Sequence, residues 1–246
     1  MLCVFSILIG HIAYNISGGV SGLREDIGLE MKARSNPKLR TILNNKDQYP
    51  DAMIQSLYRN EELIDFVYNY PSKKGHVYTN TIGPVTKGRY PLLLQYDQRW
   101  GYGNYGYNVI GMNGCGPTSA AMIIAGLIGR NNITPFDVVS YAYNHGYYQD
   151  GTSWAFFTEG MKHYDIHGRN IPLSYFSMKN EIVNGSPLIC SMKPGDFTTT
   201  GHLIVIRGMK QGMFIVNDPN SIKRSNRLWS YDTLSKQIRN IWSLSR

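Results

Sequence analysis

The pattern of apolar and charged residues sets the first segment of the chain apart from the rest. Residues 1–22 contain no Lys, Arg, Asp or Glu and are mostly apolar as far as Ile16. Such a run is typical of an export signal or a membrane anchor, although it is shorter than the roughly 20 apolar residues of a bilayer span and follows no basic residues. We expect a signal or membrane-anchor remnant over residues 1–22; a buried N-terminal element is the alternative.

Residues 23–88 predict a helical cap followed by a linker. Asn36-Pro37 is typical of an N-cap with proline at the first helical position, and a later helix is predicted to end at Pro71. The polar stretch 71–88, which contains glycine, proline and lysine, is typical of a linker that crosses the surface.

Residues 89–246 predict one α+β domain. From Ser119 to Ile128 almost every residue is small or apolar, and Gly129 follows, which is typical of a buried helix with a glycine stop. Later apolar runs predict strands at 188–192, 203–207 and 213–217, and amphipathic residues predict a helix over 231–239. Because helices precede strands, we expect the strands to form an antiparallel sheet.

Composition indicates a folded globular chain. Of the 246 residues, 42% are hydrophobic and 17% are charged, which excludes general disorder. The three cysteines, Cys3, Cys115 and Cys190, are too few for a disulfide framework, and no cysteine or histidine cluster has the spacing of a structural zinc site. We therefore expect no metal and no cofactor.

The net charge of +8 raises the question of a nucleic-acid partner. Only Lys223, Arg224 and Arg227 form a local basic patch, and no recognition helix or zinc-finger signature accompanies it. A basic exterior also fits an anionic cell surface. The sequence therefore predicts no nucleic-acid partner.

Cys115 is the strongest candidate for a reactive side chain. It directly precedes Gly116-Pro117 at the start of the buried helix. The unpaired N–H groups and the positive dipole end of a helix N-terminus favour a thiolate, and glycine lets backbone N–H groups approach an oxyanion. The alternative is a cysteine that only fills space in the core.

His202 and Asp218 lie at matching ends of a predicted β-hairpin. If Gly208 pairs with Gly212 across a three-residue loop, His202 lies directly opposite Asp218 on one face of the sheet. A carboxylate beside an imidazole fixes its tautomer and stabilises its protonated form. A register change of one residue would place the two side chains on opposite faces, so the pairing depends on the turn.

Several motifs occur in a fixed order over residues 90–246. They are Leu92–Gly101, Gly114–Ser119, Asn144–Tyr148, Gly151–Trp154, Met192–Thr198, Gly201-His202 and Asn217–Ser221. Together they resemble the bacterial peptidase C-thirty-nine-like domain, a relative of the bacteriocin-leader peptidases. The resemblance implies the papain-like cysteine peptidase fold, with a central N-terminal helix packed on an antiparallel β-sheet.

The resemblance also implies roles for individual residues. Cys115 would be the nucleophile, His202 the general base and acid, and Asp218 the orienting residue. The side-chain amide of Gln95 would complete an oxyanion hole with the backbone N–H of Cys115. Gln98 is the alternative, because an aromatic loop lengthens the separation between Gln95 and Cys115.

These features predict a secreted or surface-anchored bacterial cysteine peptidase, located outside the cell or at its surface. Its substrate would be a peptide or protein, with the peptidoglycan stem peptide among the candidates, and Trp100 and Trp154 would bind it. The alternative is a catalytically silent module that binds cell-wall or surface polymers. Its stacking platform would consist of Trp100, Tyr102, Tyr105, Tyr107 and Trp154.

Overall fold

The computed structural model describes residues 28–246. The predicted signal or anchor segment, 1–22, lies outside the described residues. Within the described part, no helix is both long and apolar enough to cross a membrane. The chain divides into two compact units between Ser72 and Lys73.

The first unit is helical, as the sequence predicts. Its helices are α1 (Pro37–Asn44), α2 (Asp51–Leu57) and α3 (Ile64–Lys73), residues 28–33 are also helical, and short 3-10 turns occupy Lys46–Gln48 and Glu61–Leu63. The Asn36 side chain accepts a hydrogen bond from the Leu39 N–H (3.1 Å), which confirms the predicted cap. The predicted end of a helix at Pro71 is wrong, because α3 includes Pro71 and ends at Lys73.

The second unit combines helices with an antiparallel sheet. Its helices are α4 (Ile110–Asn113), α5 (Cys115–Ile128), α6 (Pro135–Asn144), α7 (Ala155–Thr158), α8 (Tyr175–Val183), α9 (Ile222–Ser225) and α10 (Tyr231–Ser235), with a 3-10 helix at Gly160–Tyr164. Its strands are β1 (Asn104–Tyr105), β2 (Asn108–Val109), β3 (His167–Asn170), β4 (Leu188–Met192), β5 (His202–Lys210), β6 (Met213–Asn217), β7 (Leu228–Trp229) and β8 (Ile238–Ser245). Strands β1 and β2 pair with each other, and the main sheet has the order β3-β8-β4-β5-β6-β7.

Helix α5 is the centre of this unit. Its residues from Ala120 to Ala125 are fully buried, and they share one apolar core with Ile189 on β4 and Val205 on β5. Gly129 ends the helix in a left-handed conformation (φ 81°), which glycine adopts without the cost of a Cβ clash. The predicted α+β fold with a central helix on an antiparallel sheet is confirmed.

The opposite face of the sheet is buried as well. Leu188 and Cys190 on β4 pack with Ile204 on β5 in a second apolar core, which also contains Met178 on α8. Strands β4 and β5 are therefore covered on both faces, which explains why their sequences are continuous apolar runs without alternation.

The end of the chain differs from its sequence pattern. A helix is predicted over 231–239, but α10 ends at Ser235 and β8 begins at Ile238. Strand β8 lies inside the sheet, paired with both β3 and β4. Backbone pairing on both sides and burial of Ile241 and Trp242 outweigh the helical periodicity of the local sequence.

Candidate active site

A cleft of about 640 Å³ opens at the N-terminal end of α5. Its lining brings together residues that lie far apart in the sequence, among them Cys115, Asp150, Trp154, Ser191, His202 and Arg239. The cleft thus contains two of the predicted catalytic residues and one of the two predicted substrate-binding residues.

Cys115 is the first residue of α5 and is half-buried in the cleft. A Cβ on Gly116 would collide with the side chain of Thr152, so glycine at this position lets the start of the helix approach the 150–154 segment. Cys190, in contrast, is fully buried on β4, and burial raises the pKa of its thiol. Only Cys115 of the two described cysteines is open to a substrate.

The β5–β6 hairpin has a different register from the predicted one. Lys210 pairs with Met213 across the two-residue turn Gln211-Gly212, whose φ angles of 52° and 75° are those of a type I′ turn. The predicted pairing of Gly208 with Gly212 is therefore wrong.

A β-bulge offsets the change of register that this shorter turn causes. Gly208 pairs with Ile215 and Ile206 with Val216, so Arg207 is an extra residue on β5 and the register changes by one. Without the bulge, Asp218 would fall on the face opposite to His202. With it, the two side chains lie on the same face as diagonal neighbours and not directly opposite each other.

His202 and Asp218 are in direct contact. The Nε2–H of His202 donates to Asp218 Oδ1 (2.7 Å), which leaves Nδ1 for a hydrogen bond to Cys115. Only 8% of His202 and none of Asp218 is exposed. Burial lowers the pKa of His202, but the charge and hydrogen bond of Asp218, together with Cys115, outweigh burial and raise it to about 9.

Besides His202, a second cationic side chain, Arg224, contacts Asp218 and fixes its position; the sequence does not assign Arg224 to the site. Arg224 Nε donates to Asp218 Oδ2, and the Asn220 N–H donates to Oδ1 (2.8 Å). Burial raises the pKa of Asp218, but the His202 and Arg224 charges and hydrogen bonds reverse this effect and hold it below its usual value. Arg224 belongs to the basic patch that was considered for nucleic-acid binding. The one feature of the sequence that could have placed it near Asp218 is its position six residues later, after a turn.

Gln95 lies beside this group but does not line the cleft. Its backbone N–H donates to the Pro219 carbonyl (2.7 Å), and its side-chain Nε2 donates to the carbonyls of Gly111 (2.9 Å) and Met112 (3.3 Å). Gln95 therefore supports the turn that leads into α5. Its role in an oxyanion hole stays a prediction. Gln98, the alternative, accepts a hydrogen bond from Lys73 Nζ (2.8 Å).

The two tryptophans predicted to bind substrate have different surroundings. Trp100 is fully buried in the core around α5, its Nε1–H donates to the Leu94 carbonyl (2.9 Å), and Arg99 covers its ring. The assignment of Trp100 to substrate binding is therefore wrong. Trp154 is 46% exposed, lines the cleft and packs edge-on against Trp242 (5.4 Å), so it presents an open ring face.

Replacing each tryptophan with Ala separates the two roles. We expect Trp100→Ala to lower the free energy of unfolding by about 3–5 kcal/mol, because it opens a cavity in the core. We expect Trp154→Ala to change it by less than about 1 kcal/mol and to raise the KM for a peptide substrate about two- to tenfold, through loss of one aromatic contact. Denaturant unfolding and cleavage kinetics measure both effects; a raised KM in Trp100→Ala at wild-type stability would restore Trp100 to the substrate site.

Within residues 28–246, no group of three or more His, Cys, Asp or Glu side chains is arranged to hold a metal ion. His163, spaced four residues from His167, stacks on the ring of Tyr141 (4.0 Å). His167 begins strand β3. The two imidazoles are therefore not neighbours on one helix.

Comparisons with known proteins identify a family. The model of the Peptidase_C39 like family matches residues 87–246. Curated proteins yield no match. A similar solved structure is the peptidase domain of Streptococcus ComA, described as a bi-functional ABC transporter involved in a quorum sensing pathway; it is 18% identical, the similarity covers 64% of this chain and 98% of that one, and the TM-score is 0.44. A likeness this remote carries no argument about function, whereas the family match spans most of the second unit.

Proposed function

The chain belongs to the Peptidase_C39 like family, and from this premise we propose that it hydrolyses peptide amide bonds through Cys115, His202 and Asp218. The family match confirms the resemblance found in the ordered sequence motifs. The fold, with a central helix against an antiparallel sheet, agrees with the papain-like fold expected from that resemblance. The observation that carries the proposal is the contact series from Cys115 through His202 to Asp218 at the cleft.

The proposed reaction begins at the Cys115 sulfur. His202, whose raised pKa favours the imidazolium, holds the proton taken from the Cys115 thiol, and the sulfur attacks the carbonyl carbon of the scissile amide. When the C–N bond breaks, His202 gives its proton to the leaving amine and a thioester forms on Cys115. Water then attacks the thioester, and His202 takes a proton from that water. When the C–S bond breaks, the acid product leaves, and the Cys115 sulfur lies again beside protonated His202, as at the start of the reaction.

The surroundings of His202 fit its two proton transfers. Asp218 is ionised and accepts from Nε2, so it holds the ring with Nδ1 towards Cys115. The charge and hydrogen bond of Asp218, together with Cys115, stabilise the imidazolium that holds the thiol proton, and so raise the pKa of His202. Arg224 and the Asn220 N–H fix the carboxylate in place, so the ring orientation does not depend on solvent.

The developing oxyanion needs hydrogen-bond donors at the start of α5. The first N–H groups of a helix have no partner within it, and the Cys115 N–H lies among them. The resemblance assigns the second donor to Gln95, whose Nε2–H groups would have to leave the carbonyls of Gly111 and Met112 to reach the oxyanion.

The site of action and the substrate class complete the proposal. The apolar run at 1–22 and the net charge of +8 support action outside the cell or at its surface, on a peptide or protein that includes the peptidoglycan stem peptide as a candidate. The alternative of a polymer-binding module loses most of its stacking platform, because Trp100, Tyr102 and Tyr105 are buried.

Profiling of the full-length protein against a peptide library and purified peptidoglycan tests the proposal. We expect mass spectrometry to detect new N- and C-terminal fragments, formed by the wild type and blocked by prior alkylation of Cys115. Retained binding to purified cell wall with no fragment from any substrate would instead favour the binding module.

A further inference from the structure

The cleft contains two charged side chains that the proposed mechanism does not use. Arg239 and Asp150 both line it. Both are exposed, and neither forms a hydrogen bond or an ion pair with any of residues 28–246. The guanidinium of Arg239 is therefore available to a ligand in the same cleft as Cys115 and His202.

A β-bulge gives Arg239 its position. Ser191 on β4 pairs with Asn240 on β8, but the next residue, Met192, pairs with Ile238. Arg239 is thus the extra residue of β8, with no residue opposite it. Bulges redirect side chains and recur beside active sites. Ser191 and Met192, which flank the bulge on β4, line the cleft as well.

The chemistry of a free guanidinium limits what it recognises. Its planar fork of N–H donors matches a carboxylate with two parallel hydrogen bonds. Because Arg239 has no partner among residues 28–246, a substrate carboxylate displaces water from the guanidinium and breaks no bond within the protein. In a peptide the anionic groups are the Asp and Glu side chains and the free C-terminus.

We propose that Arg239 selects peptide substrates that carry a carboxylate close to the scissile bond. The inference rests on the proposed function, since it takes the substrate to be a peptide. Arg239 is a specificity-determining residue and takes no part in the chemical step. The carboxylate is either an acidic side chain or the C-terminus of the substrate, which have the same chemistry at this contact.

The charge of Asp150 confines the preference for a carboxylate to the peptide position that contacts Arg239. It adds a negative charge to the same cleft, so the lining contains both signs of charge outside the Cys115, His202 and Asp218 group. A general attraction of anions into the cleft is therefore not the basis of the preference. Selection depends on a contact with Arg239 and is confined to one position of the peptide.

Matched peptides test this inference on the full-length protein. One arm compares fluorescent peptides with Glu or Gln at each position in turn, and the other compares free with amidated C-termini. Cleavage is measured as kcat/KM with active Cys115, and binding by fluorescence anisotropy in the Cys115→Ala background. We expect the carboxylate member to be preferred about tenfold at one position, as for a charge-assisted hydrogen bond. The arm that shows the preference identifies the source of the carboxylate.

Three variants provide the comparison. Arg239→Gln is expected to reduce kcat/KM for the carboxylate member to that of its neutral partner, and Arg239→Glu to favour Lys at the same position. Arg89→Gln removes the same charge from an exposed arginine outside the cleft and is expected to keep the preference.

The outcomes separate this inference from the proposed function. Equal use of both members by the wild type, or a preference that survives in Arg239→Gln, overturns the role of Arg239 while cleavage itself stands. Carboxylate-dependent binding to the Cys115→Ala protein with no cleavage by the wild type supports the role of Arg239 and overturns peptide hydrolysis. If the protein neither binds nor cleaves any of the peptide pairs, both the role of Arg239 and the proposed peptide hydrolysis are overturned.

Discussion

The Cys115→Ala variant is expected to lose peptide cleavage by a factor of about 10⁴ or more, because it removes the atom that forms the covalent intermediate. Its fold is expected to remain, since Cys115 is half-buried at the edge of the cleft and not packed at the centre of the core. We expect its free energy of unfolding to lie within about 1 kcal/mol of the wild type. Cleavage of a substrate found by library profiling and denaturant unfolding measure the two quantities.

Cys190→Ala is the matched control. It removes the other described thiol, which is fully buried and whose pKa is raised by burial, so that thiol remains protonated and out of reach of a substrate. We expect its cleavage rate to match the wild type despite a small loss of stability. Activity that survives in Cys115→Ala, or that disappears in Cys190→Ala while the protein stays folded, would remove Cys115 from the role of nucleophile.

Asp218→Asn is expected to lower kcat by roughly 10²–10⁴-fold while Cys115 and His202 remain in place. Asp218 accepts from His202 Nε2 and from Arg224, and an Asn amide provides one neutral oxygen in place of a carboxylate. With that oxygen on Arg224, the amide NH2 faces His202 Nε2. The imidazole then loses both the charge that stabilises its protonated form and the acceptor that fixes its tautomer. The same change made at Asp232, an exposed residue in the first turn of α10, is expected to leave kcat unchanged.

The pH dependence of stability gives Asp218→Asn a second readout. The pKa of His202 is raised from 6.5 to about 9, so its protonation stabilises the folded protein fully below pH 6.5 and progressively less as the pH rises through 9. The stability advantage of the wild type over Asp218→Asn should therefore shrink between these two values. Unfolding curves recorded across this range test it; a constant difference would show that Asp218 does not set the protonation of His202.

The hairpin shows what the sequence predicts about the site and what it does not. A three-residue loop between Gly208 and Gly212 predicts that His202 and Asp218 meet, and they do meet. The prediction of the turn is wrong. A two-residue turn at Gln211-Gly212 and a bulge at Arg207 together place His202 and Asp218 on the same face of the sheet, as the expected three-residue loop would. The shorter turn and the bulge each change the register by one residue, and the two changes cancel. The pattern of apolar residues is therefore the same with both as with neither, so it predicts neither of them.

Burial was the other property that local patterns did not resolve. An aromatic-rich loop predicts stacking surface, but Trp100 packs in the core, while Trp154 in a less conspicuous segment is open to the cleft. No local pattern of the sequence predicts that Arg224 contacts Asp218 or that Arg239 lines the cleft. Strand β8, which positions Arg239, owes its structure to pairing with β3 and β4, and such long-range pairing is invisible in local periodicity.

Trapping of the covalent intermediate tests the central claim most directly. The full-length protein is mixed with a cleaved peptide, quenched in acid within one turnover and examined by intact mass spectrometry and peptide mapping. We predict an added mass equal to the N-terminal product fragment less water, located on Cys115 and removed by hydroxylamine as a thioester. Product formation with no adduct on Cys115 under conditions that trap other thioesters, or an adduct on a different residue, would contradict the account.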